Sequence, residues 1–371
     1  MACGALIQAG LAAPRTPIDV REVALQRLER DPFLLQHSDA SADGMILLTT
    51  CERIELIAEV DSDHGTASVR SWLSALLGSS RLVDQYAQFR TGRDAAMHFM
   101  RVTAGLESRI LGEPHVLGQV KNAYAQSLGE GRLSPCLAAL GRAAISCGKR
   151  VRTESAINVR QDSIVTLVRD RLRQELGGLA GRRVSILGTG QLAAELAQAC
   201  HRCDAEITIT SLSSLDRARS LAQTVEGESS SIVRFHRTVA EADAVIAATQ
   251  AKHGMIMPDT FRRRVRTDTL PVIDLSVPRV FRETCARHSG VKLFDLSCFA
   301  AGRRDGDAVR IAEGIVKQEV ERFERWQRSR HLAKTIKGVI QEKGGHAGNR
   351  NRTGSREIHE CIMKIKAGAA A

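Results

Sequence analysis

Four groups of residues have types and spacings that could carry chemistry. The first is Gly188-Thr189-Gly190-Gln191-Leu192-Ala193, a G-x-G-x-x-A turn. Its first glycine allows a tight turn and its second lets backbone approach a pyrophosphate at a helix N-terminus. Its small last residue lets helix and strand pack closely. Val184–Leu187 reads as a strand before it and Glu195–His201 as a helix after it, the setting a dinucleotide site requires. No Asp or Glu closes the next strand to hold a ribose 2′-hydroxyl. Thr210-Ser211-Leu212-Ser213-Ser214 stand there instead, followed by Arg217 and Arg219. Hydroxyls near an Arg favour a 2′-phosphate, hence NADPH over NADH.

The second group is Thr50-Cys51-Glu52-Arg53, at the end of an expected strand. A thiol beside an Arg could be an activated nucleophile, because positive charge favours the thiolate. Cysteine is also a common small core residue, and Glu52 works against activation, since a nearby anion disfavours the thiolate. The third is His98, within an apolar helix, where a satisfied core histidine is the simpler reading. The fourth, Cys200-His201-Arg202-Cys203, is half a zinc site with no second Cys/His pair at ligand spacing, so no metal is expected.

The elements that must position these groups fall into three regions. The first, residues 1–155, opens with strand-like runs at Ala5–Leu11, Met45–Thr49 and Glu55–Val60, with a helical stretch at Val20–Arg30. Interleaved strands and helices suggest a compact α+β unit. From Arg93 the pattern is helical, with Ala95, Phe99, Val102 and Leu106 on one face. Gly112-Glu113-Pro114 then breaks the chain, and Pro114 suits the first position of a helix running through Tyr124. Cys136–Val151 is helix-rich.

The second region, 156–302, holds a helix at Ser163–Leu176 closed by Gly177-Gly178. Strands follow at Val184–Leu187, Glu206–Thr210, Ala244–Ala248, Val272–Leu275 and Lys292–Asp295, with a helix at Leu215–Val225. Such alternation predicts a doubly wound parallel sheet. In the third, 303–371, Ile311, Ile315, Val316, Val320, Phe323 and Trp326 form the stripe of one long helix to about Gln341. A loop at 344–349 and a short helix at Ser355–Ile365 would follow.

Composition sets the bounds. A chain of 371 residues holds two or three domains, and 43% hydrophobic residues suffice for their cores. No apolar run is long enough to span a membrane, and Met1–Ala13 reads as a first strand rather than a signal peptide. Nine scattered cysteines, an odd number, point to a reducing cytoplasm rather than a disulfide framework. The net charge is +11, and residues 301–371 carry 16 Lys and Arg against 9 Asp and Glu. That asymmetry suits a polyanionic partner such as nucleic acid, and equally a solvated helix surface.

Taken together, these pieces resemble the glutamyl-tRNA reductase family, which begins tetrapyrrole synthesis from charged tRNA. The likeness runs in the family's order to about residue 340. Gly10-Leu11 followed by Arg15-Thr16-Pro17-Ile18-Asp19-Val20-Arg21-Glu22 looks like its N-terminal strand and turn. Thr50-Cys51-Glu52-Arg53 resembles its T-C-N-R motif. The most specific run is Gly105-Leu106-Glu107-Ser108-Arg109-Ile110-Leu111-Gly112-Glu113-Pro114-His115-Val116-Leu117-Gly118-Gln119-Val120-Lys121. Gly148-Lys149-Arg150-Val151-Arg152-Thr153-Glu154 matches the start of the family's interdomain link. Asp274-Leu275-Ser276-Val277-Pro278-Arg279 resembles D-I-A-V-P-R, and Glu321-Arg322-Phe323-Glu324-Arg325-Trp326 the start of a spine helix.

The resemblance implies a multidomain α/β protein: a catalytic α+β domain, a Rossmann-type NADPH domain, and a long helix leading to a shortened dimerisation region. It implies Cys51 as a nucleophile that forms a thioester with the glutamyl group. It gives His98 a proton-handling role and Arg53 a clamp on the substrate carboxylate. Thr50, Glu52, Ser108, Glu113, Pro114, His115 and Gln119 match further substrate contacts, and Gly188 through Ala193 the NADPH turn. Glutamyl-tRNA(Glu), a second copy of the chain and glutamate-1-semialdehyde aminomutase are the implied partners. Four features depart from the pattern. Glu52 replaces Asn, and if it points inward it lowers Cys51 reactivity. His115 stands where Gln is usual, Leu212-Ser213-Ser214 replaces N-R-T, and only about thirty residues follow residue 340. A non-catalytic paralogue that binds tRNA or a pathway partner is the alternative these departures raise.

Overall fold

The computed structural model describes residues 5–31, 42–50, 52–60, 65–113, 115–155, 157, 164–249, 254–265, 268–299 and 306–345. The first of its two sheets is antiparallel, built from β1 (Ala5–Ala12), β2 (Ala42–Thr49), β3 (Arg53–Val60) and β4 (Gln88–Thr91) in the order β2-β3-β1-β4. Every residue of β3 is buried. Side chains alternate across a strand, so Ile54, Leu56, Ala58 and Val60 share one face, and pack against α1 (Ile18–Arg30), α2 (Gly65–Leu77) and α3 (Ser80–Tyr86). The other face carries Arg53, Glu55, Ile57 and Glu59. It is covered by α4 (Gly92–Thr103), α5 (His115–Gly129) and α6 (Pro135–Glu154), with Ile57 in their apolar cluster. A buried strand face bearing three charges needs dedicated partners, and that requirement builds the site.

Beyond α7 (Ile164–Leu176), β5 (Arg183–Leu187), α8 (Gln191–His201), β6 (Glu206–Ser211), α9 (Leu215–Gln223), β7 (Glu228–Ser231), α10 (Phe235–Glu241), β8 (Ala244–Ala247), β9 (Leu270–Asp274) and β10 (Val291–Asp295) form the second unit. Its six strands are parallel, in the order β10-β9-β8-β5-β6-β7. Strand order reverses beside β5, and in such sheets ligands bind at the carboxyl ends of the strands flanking that point. Apolar clusters lie on both faces, as a parallel sheet requires.

The last described element is α11 (Asp307–Gly345). Val309, Ala312, Ile315, Val316, Val320 and Phe323 insert into the core of the first unit. Ion pairs flank this seam: Arg150 Nη1 donates to Glu319 at 2.7 Å, and Arg101 and Arg93 reach Glu313 and Glu324. Ile311, expected on the stripe, is exposed, because Ala312 takes the inward position at helical spacing.

Other differences are local. α8 starts at Gln191 rather than Glu195, because the second half of the glycine-rich turn is already the helix's first turn. α5 runs on past Tyr124 to Gly129, and α11 continues through Gly344 and Gly345, where a loop was expected. α2, α3, β4, β7 and α10 add to the expected elements. The expected helix at Ser355–Ile365 lies outside the described residues. Among the described residues no helix is long and apolar enough to cross a membrane.

Candidate active site

Cys51 and Pro114 lie outside the described residues, and the residues on either side of them are described. The turn joining β2 to β3 closes on itself. The Thr50 N–H donates to the Arg53 carbonyl at 2.8 Å, and Thr50 Oγ1 accepts the N–H groups of Glu52 and Arg53 at 3.1 and 3.2 Å. The Ala13 N–H, just past β1, donates to the Glu52 carbonyl at 2.9 Å. A threonine here is therefore part of the turn's own bonding, as hydroxyl-closed turns require.

Against this turn lies the segment from Ala104 to Glu113. Gly105 and Gly112 both take positive φ, +77° and +75°. A Cβ on Gly105 would stand 3.0 Å from the Gly112 Cα, so two glycines let the segment fold back on itself. The fold-back buries Ser108 and brings Arg109 to Glu52. The Arg109 backbone N–H donates to Glu52 Oε2 at 2.9 Å and its Nε to Oε1 at 2.8 Å. Arg109 Nη1 also donates to the Ser297 carbonyl of the second unit at 3.2 Å. The next residue, Ile110, is buried in that unit's core with Ile164, Val165, Leu275 and Phe299. Glu52 does point inward, and the chain supplies a counter-charge for it.

Arg53 and Glu55 project from the charged face of β3. Arg53 is 3% exposed; Nη2 donates to the Glu107 carbonyl at 2.7 Å and Nη1 to Glu55 at 3.3 Å. The Glu55 carboxylate lies 3.0 and 3.1 Å from His98 Nε2. Burial pushes the Glu55 carboxyl up, but Arg53 and then His98 outweigh it, and its pKa lies below the usual carboxylate value. An ionised carboxylate only accepts, so His98 Nε2 carries the proton in this pair. His98 is thus a satisfied buried histidine, as its surroundings in the sequence suggested, and it is wired through Glu55 to Arg53, two residues from Cys51. The Arg53 guanidinium is engaged inward, and a substrate carboxylate would have to share it.

Glu113 is shifted the other way. Burial, then the charge of Glu52, raises its pKa to about 7, against the pull of Arg53 and Arg152. His115 opens α5, with Nε2 at 3.7 Å from Glu195 on α8, and Gln119 lies half-buried one turn further along.

In the second unit the glycine-rich turn leaves β5 at its carboxyl end. Gly188 has φ +134°, and a Cβ there would stand 2.2 Å from the Ala248 carbonyl oxygen, so only glycine fits. Gly190 caps α8 with no side-chain bond and nothing within 4 Å of its Cβ position, while Ala193 is fully buried. Thr189 and Leu192 are half-buried and Gln191 is exposed. The open N-terminus of α8 is a cradle fit for a pyrophosphate. Ser211 Oγ accepts the N–H groups of Ser213 and Ser214 at 3.4 and 3.1 Å, and Ser214 caps α9 through the Arg217 N–H at 3.3 Å. At the carboxyl end of β9, Asp274 accepts from the Ser276 and Phe281 N–H groups at 3.0 and 2.9 Å, and burial raises its pKa to about 6. Cys200 is buried and its thiol pushed up to about 12 by burial, while Cys203 is half-buried.

Sequence reading missed Glu55, Arg109, Glu195 and Glu22. For Glu55 a signal existed: in a strand, residues 53 and 55 share a face, so an Arg and a Glu there can pair. Nothing in the sequence places Arg109 beside Glu52, since the contact depends on how the two-glycine segment folds back.

A family model for the glutamyl-tRNA reductase N-terminal domain matches residues 9–155, and one for shikimate/quinate 5-dehydrogenase matches residues 170–298. The second match, with the parallel sheet, makes the later half a dehydrogenase-like nucleotide-binding domain suited to a nicotinamide dinucleotide. Glutamyl-tRNA reductase from Desulfitobacterium hafniense is 31% identical over 96% of this chain and 81% of its own length. That from Moorella thermoacetica is 32% identical over 98% of this chain and 91% of its own. The solved glutamyl-tRNA reductase from Methanopyrus kandleri aligns over 98% of this chain and 93% of its own, with 23% identity and a TM-score of 0.47. With 31% identity to the Desulfitobacterium hafniense enzyme sustained across nearly the whole chain and four fifths of that relative, the protein belongs to the glutamyl-tRNA reductase family.

Proposed function

We propose that the protein reduces glutamyl-tRNA(Glu) to glutamate-1-semialdehyde, the first step of tetrapyrrole biosynthesis, with NADPH as reductant. The observation that carries this reading is the meeting of three segments. The self-closed turn flanking Cys51, the glycine-folded segment Ala104–Glu113 and the nucleotide-binding unit are joined through Arg109 and Ile110. A thiol that accepts an acyl group and then yields it to a reductant needs such an arrangement.

The Cys51 thiolate attacks the ester carbonyl that joins glutamate to the tRNA 3′ end. A C–S bond forms, the C–O bond breaks, and the ribose oxygen leaves with a proton. Glu113, whose carboxyl titrates near neutrality, is suited to supply that proton. Thr50 holds the turn, and Arg53, Ser108, Pro114, His115 and Gln119 are the assigned substrate contacts. His98 acts through Glu55 by orienting Arg53. When bound, NADPH supplies the hydride that converts the thioester to the aldehyde and returns the thiolate. Gly188, Thr189, Gly190, Gln191, Leu192 and Ala193 would hold its pyrophosphate. The absence of an acid at the end of β6, with Ser211 and Ser213 there and an exposed Arg217 nearby, favours the 2′-phosphate.

We assign the catalytic unit to 1–155, the NADPH unit to 156–302, and the spine helix with its dimerisation region to 303–371. A homodimer in the cytoplasm, passing its unstable aldehyde to glutamate-1-semialdehyde aminomutase, completes the reading. The pairing of Glu52 with Arg109 answers one of the grounds for a non-catalytic paralogue. Cys51→Ser tests the proposal: aldehyde formation is lost while NADPH affinity is kept, and equal activity in that variant overturns the thioester route.

A further inference from the structure

Glu52 is 7% exposed and adjoins Cys51 in the chain. An uncompensated carboxylate there would raise the thiol's pKa and deplete the thiolate. The charged groups around the turn are Arg53 and Glu55 on β3, His98 on α4, Glu107, Arg109 and Glu113 on the glycine-folded segment, and Arg152 on α6. Among the described residues, Arg109 is the one cation hydrogen-bonded to Glu52. It binds both carboxylate oxygens, one through backbone and one through Nε, at 2.9 and 2.8 Å. Charge-assisted bonds of that length are strong and directional.

Arg109 is itself held from both sides. Ile110 is sunk in the core of the nucleotide-binding unit. On the other side, Glu107 accepts from Arg101 Nε at 2.6 Å and its carbonyl accepts from Arg53.

We propose that Arg109 is a positioning residue that neutralises the Glu52 carboxylate next to Cys51 in the chain and so favours the thiolate, Glu52 and Arg109 operating as one unit. The inference rests on Cys51 being the nucleophile of the proposed reaction. It does not rest on the identity of the acyl donor or of the nucleotide.

The test is the pH dependence of Cys51 alkylation by iodoacetamide in the full-length protein. Mass spectrometry of the tryptic peptide 31–53, in which Cys51 is the single cysteine, reports it site by site. In Arg109→Met the alkylation midpoint moves up by about one pH unit, the effect of one uncompensated charge on the neighbouring residue. In the double variant Glu52→Asn, Arg109→Met it returns to within about 0.3 unit of the wild-type value. Arg109→Lys, which keeps the cation, moves it by less than half as much as Arg109→Met. An Arg109→Met profile equal to wild type overturns the proposal. So does a double variant that stays as displaced as Arg109→Met, because Arg109 would then act on the fold and not through Glu52. The assay contains neither tRNA nor nucleotide. A protein that shows the shift and the rescue yet forms no aldehyde upholds this inference and refutes the reductase reading.

Discussion

Arg279 and Glu22, 257 residues apart, form a buried fork between the two units. The Arg279 backbone N–H donates to Glu22 Oε1 at 2.6 Å, Nε to the same oxygen at 3.0 Å, and Nη2 to Oε2 at 2.9 Å. Asp19 and Glu283 add further acceptors to the same guanidinium. Glu22 is on α1 of the first unit, and Arg279 follows β9 of the second.

Removing one partner of a buried pair leaves the other uncompensated, at a cost of about 3 kcal/mol. Glu22→Gln should therefore loosen the docking of the nucleotide-binding unit while leaving the Cys51 turn intact. Stopped assays should show acyl transfer to Cys51 at near wild-type rate and hydride transfer slowed by about tenfold, roughly 1.4 kcal/mol. Equal slowing of both half-reactions would mean that the fork is general scaffolding.

The Glu55 pair predicts an acid-side effect. Its pKa is lowered in the folded state, so its contribution to stability is present above the ordinary carboxylate pKa and is lost as pH falls through the folded value. Glu55→Gln leaves Arg53 without its counter-charge and should lower stability by about 3 kcal/mol at pH 7. The difference from wild type should shrink as the pH is lowered. Urea titrations at pH 7 and pH 4 measure it; a pH-independent difference would contradict the ionised Glu55–Arg53–His98 arrangement.

Glu113 predicts the opposite sign. Its folded pKa, about 7, is raised, so the stability it contributes is full below the unfolded value of 4.5 and is lost as pH rises through about 7. Glu113→Gln, which mimics the protonated acid, should match wild type near pH 4 and be more stable by about 1–2 kcal/mol at pH 8, after allowance for partial exposure. Acyl transfer should fall in the same variant. A Gln variant no more stable than wild type at pH 8 would show that Glu113 ionises freely.

Gly188→Ala places a Cβ 2.2 Å from the Ala248 carbonyl oxygen at a φ of +134°. The turn must shift, and NADPH affinity should fall by about a hundredfold, or 2.7 kcal/mol, with Cys51 acylation unchanged. Fluorescence titration with NADPH reads the first and single-turnover labelling the second. Undiminished NADPH binding would move the nucleotide away from this turn.

Periodicity made much of this protein legible. The alternation of Leu56, Ala58 and Val60 with Glu55 and Glu59 marks β3 as a strand, but such alternation reads as half-buried, and only the structure shows that its charged face is buried too. The run from Val184 to Ala193 marks β5 and the glycine-rich turn, where Gly188 has a steric reason to be glycine, although α8 begins four residues earlier than its apolar pattern suggested. β7 was illegible because Glu228-Ser229-Ser230-Ser231 has no apolar alternation, and only backbone pairing with β6 makes it a strand. In the site, Thr50, Arg53 and His98 were readable as residues, but their partners were not. Glu52 looked like a liability in the sequence, since its cation lies 57 residues away and arrives through a loop. Glu22 and Glu195 escaped for the same reason: local pattern does not encode which side chains meet across a domain boundary.

The most direct measurement of the central claim is a single-turnover reaction of the purified protein with glutamate-labelled glutamyl-tRNA, with nucleotide withheld. Label is expected on the peptide containing Cys51, stable to acid and released by hydroxylamine, and it leaves as aldehyde when NADPH is added. Folded protein that retains the tRNA but acquires no label at Cys51 would contradict it.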